Sequence, residues 1–98
     1  MRYTWDPEKD ALNRRKHGLS LEEGIPALEE PDIHFWIDDR FDYDEERIVT
    51  LGKGREQILV VVSTVREFDT TRIISVRKAH GDETNWYYFC LLYTSRCV

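Results

Sequence analysis

The chain of 98 residues fits one small domain, and its 14 Lys and Arg against 19 Asp and Glu give a net charge of −5. This length excludes a multidomain enzyme, and the acidity argues against non-specific binding to nucleic acid through bulk charge. The longest apolar run, Ile58–Val62, is far shorter than a membrane span. Because the first residues also lack the apolar stretch of a signal peptide, we expect a cytoplasmic protein without membrane contact.

The start of the chain predicts a short strand and then a helix. Tyr3–Trp5 is typical of a strand, and Asp6 suits the N-cap of the helix that follows. Gly18 suits the left-handed residue just past a helix end, so the helix is expected over Pro7–His17.

A second helix is expected almost at once. Ser20 and Glu23 have the spacing of a capping box, in which each residue satisfies a backbone N–H near the other. The helix is predicted to reach about Leu28. Pro26 predicts a kink or a short helix, because proline removes a helical hydrogen bond and crowds the preceding turn.

The pattern after Pro31 changes to extended segments joined by short connections, which predicts antiparallel neighbours. The four segments are His34–Ile37, Arg47–Leu51, Gln57–Thr64 and Thr71–Arg77. Ile58–Val62 has no polar alternation and is expected in the central strand, covered on both faces. A last helix is predicted over Asp82–Tyr88. The fold class is therefore α+β, with two N-terminal helices on a mainly antiparallel sheet of four to five strands and a short C-terminal helix.

One turn of the first helix gathers four cationic or titratable side chains, Arg14, Arg15, Lys16 and His17. A histidine at the C-terminal end of a helix is a candidate to donate a proton near neutral pH or to bind phosphate. The alternative is a helix end whose solvated cations only complement the helix dipole.

Cations also mark the last two strands, at Arg66, Arg72, Arg77 and Lys78. Arg66 and Arg72 flank a turn and are expected at one rim of the sheet, where guanidinium groups suit a phosphate. Arg72 and Arg77 are an odd number of residues apart, so they are expected on opposite faces unless a bulge intervenes. The alternative is a surface strand that arginines merely decorate.

The acidic run Asp38–Glu46 carries much of the negative charge. It lacks the glycine and the terminal glutamate spacing of an EF-hand calcium loop, so we expect a solvated loop or a surface for a basic partner. The histidines, His17, His34 and His80, have no metal-ligand spacing. No cofactor or metal site is predicted.

A series of short motifs extends over nearly the whole chain. They are Trp5-Asp6-Pro7, Lys16-His17-Gly18, Ser20 with Glu22-Glu23, Leu59–Val62 with Thr64 and Arg66, and Arg72-Ile73-Ile74-Ser75 with Arg77 and Glu83. In this order they resemble the BrnT family of bacterial toxins, the ribonuclease half of a type II toxin–antitoxin pair. The resemblance implies a compact fold of the RelE type and RNA cleavage without a metal. It also implies a partner, a BrnA-like antitoxin with a ribbon-helix-helix domain. The toxin is then expected to contact operator DNA only indirectly, through that antitoxin.

Cleavage of RNA without a metal needs a base, an acid and cations for the charge that develops on the phosphate. Following the resemblance, we assign His17 as the acid or base. The cations predicted to hold the phosphate are Lys16, Arg66 and Arg72. We expect loss of cleavage and of growth arrest when these catalytic residues are replaced.

The predicted RNA-binding residues are Trp5, Arg47, Arg77 and Lys78. Trp5 or Tyr43 is expected to stack on a base. Arg77 has an alternative role as the structural ion-pair partner of Glu83.

Two alternative functions remain at this point. The acidic balance leaves open a catalytically inactive, truncated BrnT homologue that acts only as an antitoxin-binding module. The Asp38–Glu46 run leaves open a metal-dependent nuclease, whose activity would be lost in EDTA.

The last nine residues, Cys90–Val98, depart from the family pattern. One permitted back-translation of them reads as a transposase mosaic-end sequencing adapter that runs into its own inverted copy. We therefore predict a single toxin-like domain over residues 1–89 and a non-native tail over residues 90–98. Such a tail is expected to be disordered or to improvise its packing against the last helix.

Overall fold

The computed structural model describes residues 2–30, 34–38, 46–66 and 69–97, with the backbone alone from residue 91 onward. The strands are β1 (Arg2–Thr4), β2 (His34–Ile37), β3 (Ile48–Lys53), β4 (Ile58–Val65) and β5 (Thr70–Lys78). The helices are α1 (Pro7–His17), α2 (Ile25–Glu29) and α3 (Gly81–Cys97), with a 3₁₀ turn at Leu21–Gly24. The predicted α+β class is confirmed, whereas the likeness to the RelE type stays a prediction.

The strands form one mixed sheet in the order β1-β5-β4-β3-β2. β1 runs parallel to β5, and the other neighbouring pairs are antiparallel. The apolar run Ile58–Val62 lies in β4 at the centre, as its lack of alternation predicts. β1 is displaced by one residue from the predicted Tyr3–Trp5, which leaves Trp5 outside the strand, next to the Asp6 cap of α1.

Local signals set both ends of α1. The Asp6 side chain accepts a hydrogen bond from the Glu8 N–H at 2.8 Å, and Pro7 holds the first helical position. Gly18 follows the helix with a φ of 72°, and its N–H donates to the Arg14 carbonyl at 2.9 Å. Both predicted ends of this helix are confirmed.

The second helical segment divides in two. The Glu23 carboxylate accepts a hydrogen bond from the Ser20 N–H at 2.6 Å, as the predicted capping box requires. A 3₁₀ turn follows, and the α-helix begins only at Ile25, so Pro26 lies in its first turn, where a missing donor costs little. The short helix that Pro26 predicts is therefore present, as the five-residue α2 after a 3₁₀ turn.

The two faces of the sheet carry separate cores. On the α2 face, the 3₁₀ turn packs on β4 and β5, and α2 packs on β3 and β4. The buried residues are Leu21, Ala27, Leu59, Val61, Ile73 and Val76. On the α3 face, α3 packs on β3 and β4, and the buried residues are Val49, Leu51, Ile58, Val60, Ala79 and Tyr87. Because a fully buried large apolar side chain contributes about 1.5–3 kcal/mol, both clusters hold the sheet and its helices together.

The C-terminal helix is longer than the short one predicted. α3 runs from Gly81 through Cys97 and crosses the predicted domain boundary after residue 89. No glycine or proline stands between Asp82 and Cys97 to end it, and the backbone there is helical rather than disordered. The non-native origin of residues 90–98 stays a prediction. In the part of the chain that the structure describes, no helix is long and apolar enough to cross a membrane.

Candidate active site

A bulge in β5 sets the orientation of two predicted site residues. Along the ladder with β4, Ser75 pairs with Val62 but Ile73 pairs with Ser63, so Ile74 is inserted between two paired residues. The inserted residue shifts the alternation of side chains by one position. Residues that are an odd number apart across the bulge therefore lie on the same face.

Arg72 and Arg77 consequently share one face of the sheet. Arg72 lies opposite Thr64, and Arg77 lies opposite Val60, which belongs to the core of the α3 face. The two arginines are both half-buried. The sequence predicts Arg72 and Arg77 on opposite faces of the sheet unless a bulge lies between them. Because β5 has that bulge, the prediction of opposite faces is wrong for this strand.

A row of polar residues crosses the α3 face at the end of the sheet where Arg72 lies. Thr4 of β1 pairs with Arg72, and Arg72 pairs with Thr64 of β4. Arg47, the residue just before β3, lies across from Thr64 in the same register. Thr64 is buried, and its hydroxyl donates to the Glu46 carbonyl at 2.7 Å, which holds the start of β3 against β4.

Arg66 stands at the same rim as this row. It follows β4 directly, and its N–H donates to the Thr70 carbonyl at 3.0 Å across the β4–β5 turn. Thr70 begins β5, two residues before Arg72. The turn therefore brings Arg66 and Arg72 to one end of the sheet, where Arg66 is exposed.

Arg77 is held by a bidentate ion pair with Glu83. Its two terminal nitrogens donate to the two carboxylate oxygens of Glu83, and the same carboxylate accepts the His80 N–H at 2.8 Å. The hydrogen bonds from Arg77 lower the pKa of Glu83 from 4.5 to about 2, against the opposing effect of burial. The geometry gives Arg77 the structural role that the sequence leaves as its alternative.

A cavity of about 240 Å³ opens between α1 and β5. It is lined by Lys9, Leu12, Asn13, Lys16, His17, Ile74 and Ser75. Lys16 and His17 are exposed at the end of α1, and Ser75 follows the bulge on the strand that carries Arg72. The predicted acid or base and one predicted phosphate ligand therefore line one cavity beside β5.

Asn13 fixes α1 against β5. Among the described residues, β1 pairs only with Thr70–Arg72, which leaves the outer edge of the rest of β5 without a strand. The Asn13 carboxamide accepts the Val76 N–H at 3.1 Å and donates to the carbonyls of Val76 and Leu19 at 2.8 and 2.7 Å. The sequence does not reveal this role of Asn13, because α1 has no apolar stripe that would mark the side facing the sheet. Even Leu12, an apolar residue of α1, is exposed.

A family model described as "Ribonuclease toxin, BrnT, of type II toxin-antitoxin system" matches residues 5–83, most of the chain. The chain belongs to the BrnT family. Its fold is similar to the 1.1 Å crystal structure of the ribonuclease toxin BrnT of Brucella abortus, with a TM-score of 0.56 and 23% sequence identity. That similarity covers 82% of this chain and 97% of the Brucella chain. No curated protein matches the sequence.

The range matched by the BrnT family model includes all the predicted catalytic and RNA-binding residues, but the structure does not bring them all together. Trp5 packs on the core of the α2 face, and Lys78 lies opposite Leu59 on that same face. Tyr43 lies outside the described residues. The residues that share the α3 face and its rim are Arg47, Arg66, Arg72 and Arg77.

Of the acidic run in this BrnT family member, the structure describes only Asp38 and Glu46. Asp38 is buried, and its N–H donates to the Arg47 carbonyl at 2.8 Å. The metal hypothesis for this run depends on residues 39–45, which lie outside the described ranges. Within those ranges, no three His, Cys, Asp or Glu side chains gather as possible ligands of a metal ion.

Glu30 makes a structural contact that the sequence does not signal. Its carboxylate accepts hydrogen bonds from the Lys53 N–H and from the hydroxyl of Tyr87, which is buried on the α3 face. Glu30 therefore ties the end of α2 to β3 and α3. In the sequence, Glu30-Pro31 indicates only the end of a helix.

Proposed function

We propose that this chain is a metal-independent endoribonuclease, the toxin of a type II pair. The observation that carries the proposal is the β5 bulge in a BrnT family member. It turns Arg72 to the face that holds Arg47 and Thr64, while the cavity with Lys16 and His17 opens on the same strand. Cations and a titratable imidazole are thereby arranged around one strand of the sheet.

RNA supplies its own nucleophile in this reaction. The 2′-oxygen bonds to the neighbouring phosphorus as a base takes its proton, and the bond from phosphorus to the 5′-oxygen breaks as an acid protonates that oxygen. The products are a 2′,3′-cyclic phosphate and a 5′-hydroxyl. We assign His17 as the acid or base of this exchange.

Negative charge builds up on the phosphate oxygens as the 2′-oxygen attacks. Arg66 and Arg72 at the rim, together with Lys16 in the cavity, stabilise that charge through short charge-assisted hydrogen bonds. Arg47 extends the cationic rim along the bound strand. Trp5 and Lys78 contact RNA that passes to the other face, and Trp5 or Tyr43 stacks on a base.

The test is cleavage of a single-stranded RNA by the purified chain in excess EDTA. We expect cleavage with cyclic-phosphate ends, and a loss of at least about 100-fold in His17→Ala and in Arg72→Ala. Arg55→Ala, an exposed cation outside the proposed site, is the matched control and should cleave at the original rate. Full cleavage by both site variants contradicts the assignment, and activity lost in EDTA supports the metal-dependent alternative.

The proposed partner is a cytoplasmic BrnA-like antitoxin with a ribbon-helix-helix domain. In the toxin–antitoxin complex, only the antitoxin contacts operator DNA. Growth arrest on expression, relieved by co-expression of that antitoxin, is the expected behaviour. The alternative of an inactive antitoxin-binding module predicts antitoxin binding without RNA cleavage or growth arrest.

A further inference from the structure

The strand β2 forms one edge of the sheet, and among the described residues no segment pairs with its outer side. The Asp38 N–H donates to the Arg47 carbonyl, which makes these two residues a hydrogen-bonded pair of the β2–β3 ladder. Because such pairs alternate along an antiparallel ladder, the N–H and C=O groups of Phe35 and Ile37 face away from β3. The outer edge of β2 therefore offers donors and acceptors to another strand.

The side chains of this edge are apolar and exposed. Phe35 is 64% exposed, Trp36 44% and Ile37 46%, so both faces of the edge present apolar surface. Natural edge strands are commonly protected from further pairing by lysine, proline or a bulge. β2 contains no lysine or proline, and its register against β3 has no irregularity.

The charge of the sequence segment that contains β2 indicates which kind of strand β2 accepts. Nine of the 19 acidic residues and one of the 14 basic residues lie between Glu29 and Glu46, so this segment carries a net −8 and the other 80 residues carry +3. The acids precede and follow β2 along the chain. Such a segment repels a second copy of itself paired edge to edge, and its charge favours a basic partner.

We propose that β2 is the docking edge for an extended segment of the antitoxin in which apolar and basic residues are combined. This inference rests on the proposed function, because the partner is the antitoxin of that pair. The segment adds as a strand beside β2, its main chain pairs with Phe35 and Ile37, and its Lys and Arg side chains complement the net charge of −8 in the Glu29–Glu46 sequence.

The position of β2 separates the docking edge from the proposed acid or base, His17, and from Arg72. In the sheet, β3 and β4 stand between β2 and β5, the strand that carries Arg72 and lines the α1 cavity. Variants at Phe35, which lies three residues before the Asp38–Arg47 pair, are therefore expected to change antitoxin affinity and to leave RNA cleavage unchanged.

The test compares Phe35→Pro with Phe35→Ala. Proline removes the outward N–H together with the side chain, whereas alanine removes the side chain alone, and neither substitution deletes a hydrogen bond to β3. The probe is a purified BrnA-like antitoxin with a ribbon-helix-helix domain, the proposed partner, with Kd measured at two salt concentrations. Ile37→Pro and Ile37→Ala form a second pair if the first proline variant is unfolded by circular dichroism.

We expect the proline variant to bind at least about tenfold more weakly than its alanine partner, since it loses a main-chain hydrogen bond at the interface. Binding should also weaken as salt rises. Equal Kd values for the two variants, salt-independent binding, or a homodimer that the proline breaks would overturn the proposal. If the unsubstituted chain does not cleave RNA at all, the proposed function is refuted. The Kd values of the proline and alanine variants still test the docking edge in that case.

Discussion

Arg77 and Glu83 join the end of β5 to the first turn of α3 through two parallel hydrogen bonds of 2.8 Å. Glu83 also accepts the His80 N–H, as the third residue of a helix does in a capping box. One carboxylate thus fixes both the arginine of the strand and the start of the helix. Because Tyr87 lies in the following turn of α3, this junction sets where that side chain enters the core of the α3 face.

The Arg77–Glu83 pair makes stability depend on pH in the acid range. The pKa of Glu83 is lowered from 4.5 to about 2 on folding, so its contribution is fully present above about pH 4.5 and is lost as the pH falls through 2. Glu83→Gln should lower the free energy of unfolding by about 1 kcal/mol at pH 7, since the pair is partly exposed. Urea unfolding at pH 7, 4.5 and 2 should show this difference shrinking toward zero. A difference that stays constant with pH would contradict the prediction.

Replacement of Asn13 should loosen α1 from the sheet. Asn13→Ala removes three hydrogen bonds and leaves the buried Val76 N–H and C=O without their partner, at a cost of about 2–4 kcal/mol. The matched control is Leu12→Ala, which removes a neighbouring exposed side chain and should change stability by less than about 0.5 kcal/mol. Denaturant melts of the two variants measure the contrast, and equal stabilities would remove the docking role of Asn13.

Gly24 should tolerate no side chain. A Cβ there would lie 2.7 Å from Val76 Cγ2 and 3.2 Å from Val61 Cγ2, so Gly24→Ala should destabilise the chain by about 1–3 kcal/mol through overpacking. At Gly81, in the first turn of α3, a Cβ meets nothing within 4 Å. Gly81→Ala should therefore be neutral or stabilising by up to about 1 kcal/mol. Thermal melts of both variants test the difference, and a stable Gly24→Ala chain would count against this close packing.

A chain that ends at Phe89 tests the predicted domain boundary. The buried contact of α3 with β3 and Glu30 lies at Tyr87, before that boundary. Removal of residues 90–98 should therefore cost about 1 kcal/mol or less. Tyr87→Ala, by contrast, should lower the free energy of unfolding by about 3–5 kcal/mol, because it leaves a cavity in the core. Thermal unfolding compares the two, and a shortened chain as unstable as Tyr87→Ala would place native structure in the last nine residues.

Much of the fold follows from local patterns in the sequence. The Asp6 cap and Gly18 place both ends of α1, because cap geometry depends on only a few neighbouring residues. The apolar run in β4 identifies the central strand, since only a strand covered on both faces needs such a run. The division of the second helix is less visible, because Pro26 is unfavourable inside a helix but acceptable in its first turn.

The candidate site depends on contacts that local patterns do not encode. Ile74 has the same β-branched character as its neighbour Ile73, so no residue type marks the bulge that turns Arg72 to the α3 face. The contacts of Asn13 and Glu30 join residues distant in sequence through ordinary polar side chains. The pairing of Arg77 with Glu83 could be anticipated as an alternative, because only a tight strand-to-helix connection separates them.

The bulge at Ile74 changes which face of the sheet follows from the spacing between Arg72 and Arg77. In a flat strand, side chains an even number of residues apart share a face, whereas here an odd spacing gives the same result. A homologue that is one residue shorter at this point and has no bulge would present the same two arginines to the same face. A one-codon insertion or deletion can therefore pass through this strand in evolution without reversing either side chain, provided that the bulge appears or disappears with it.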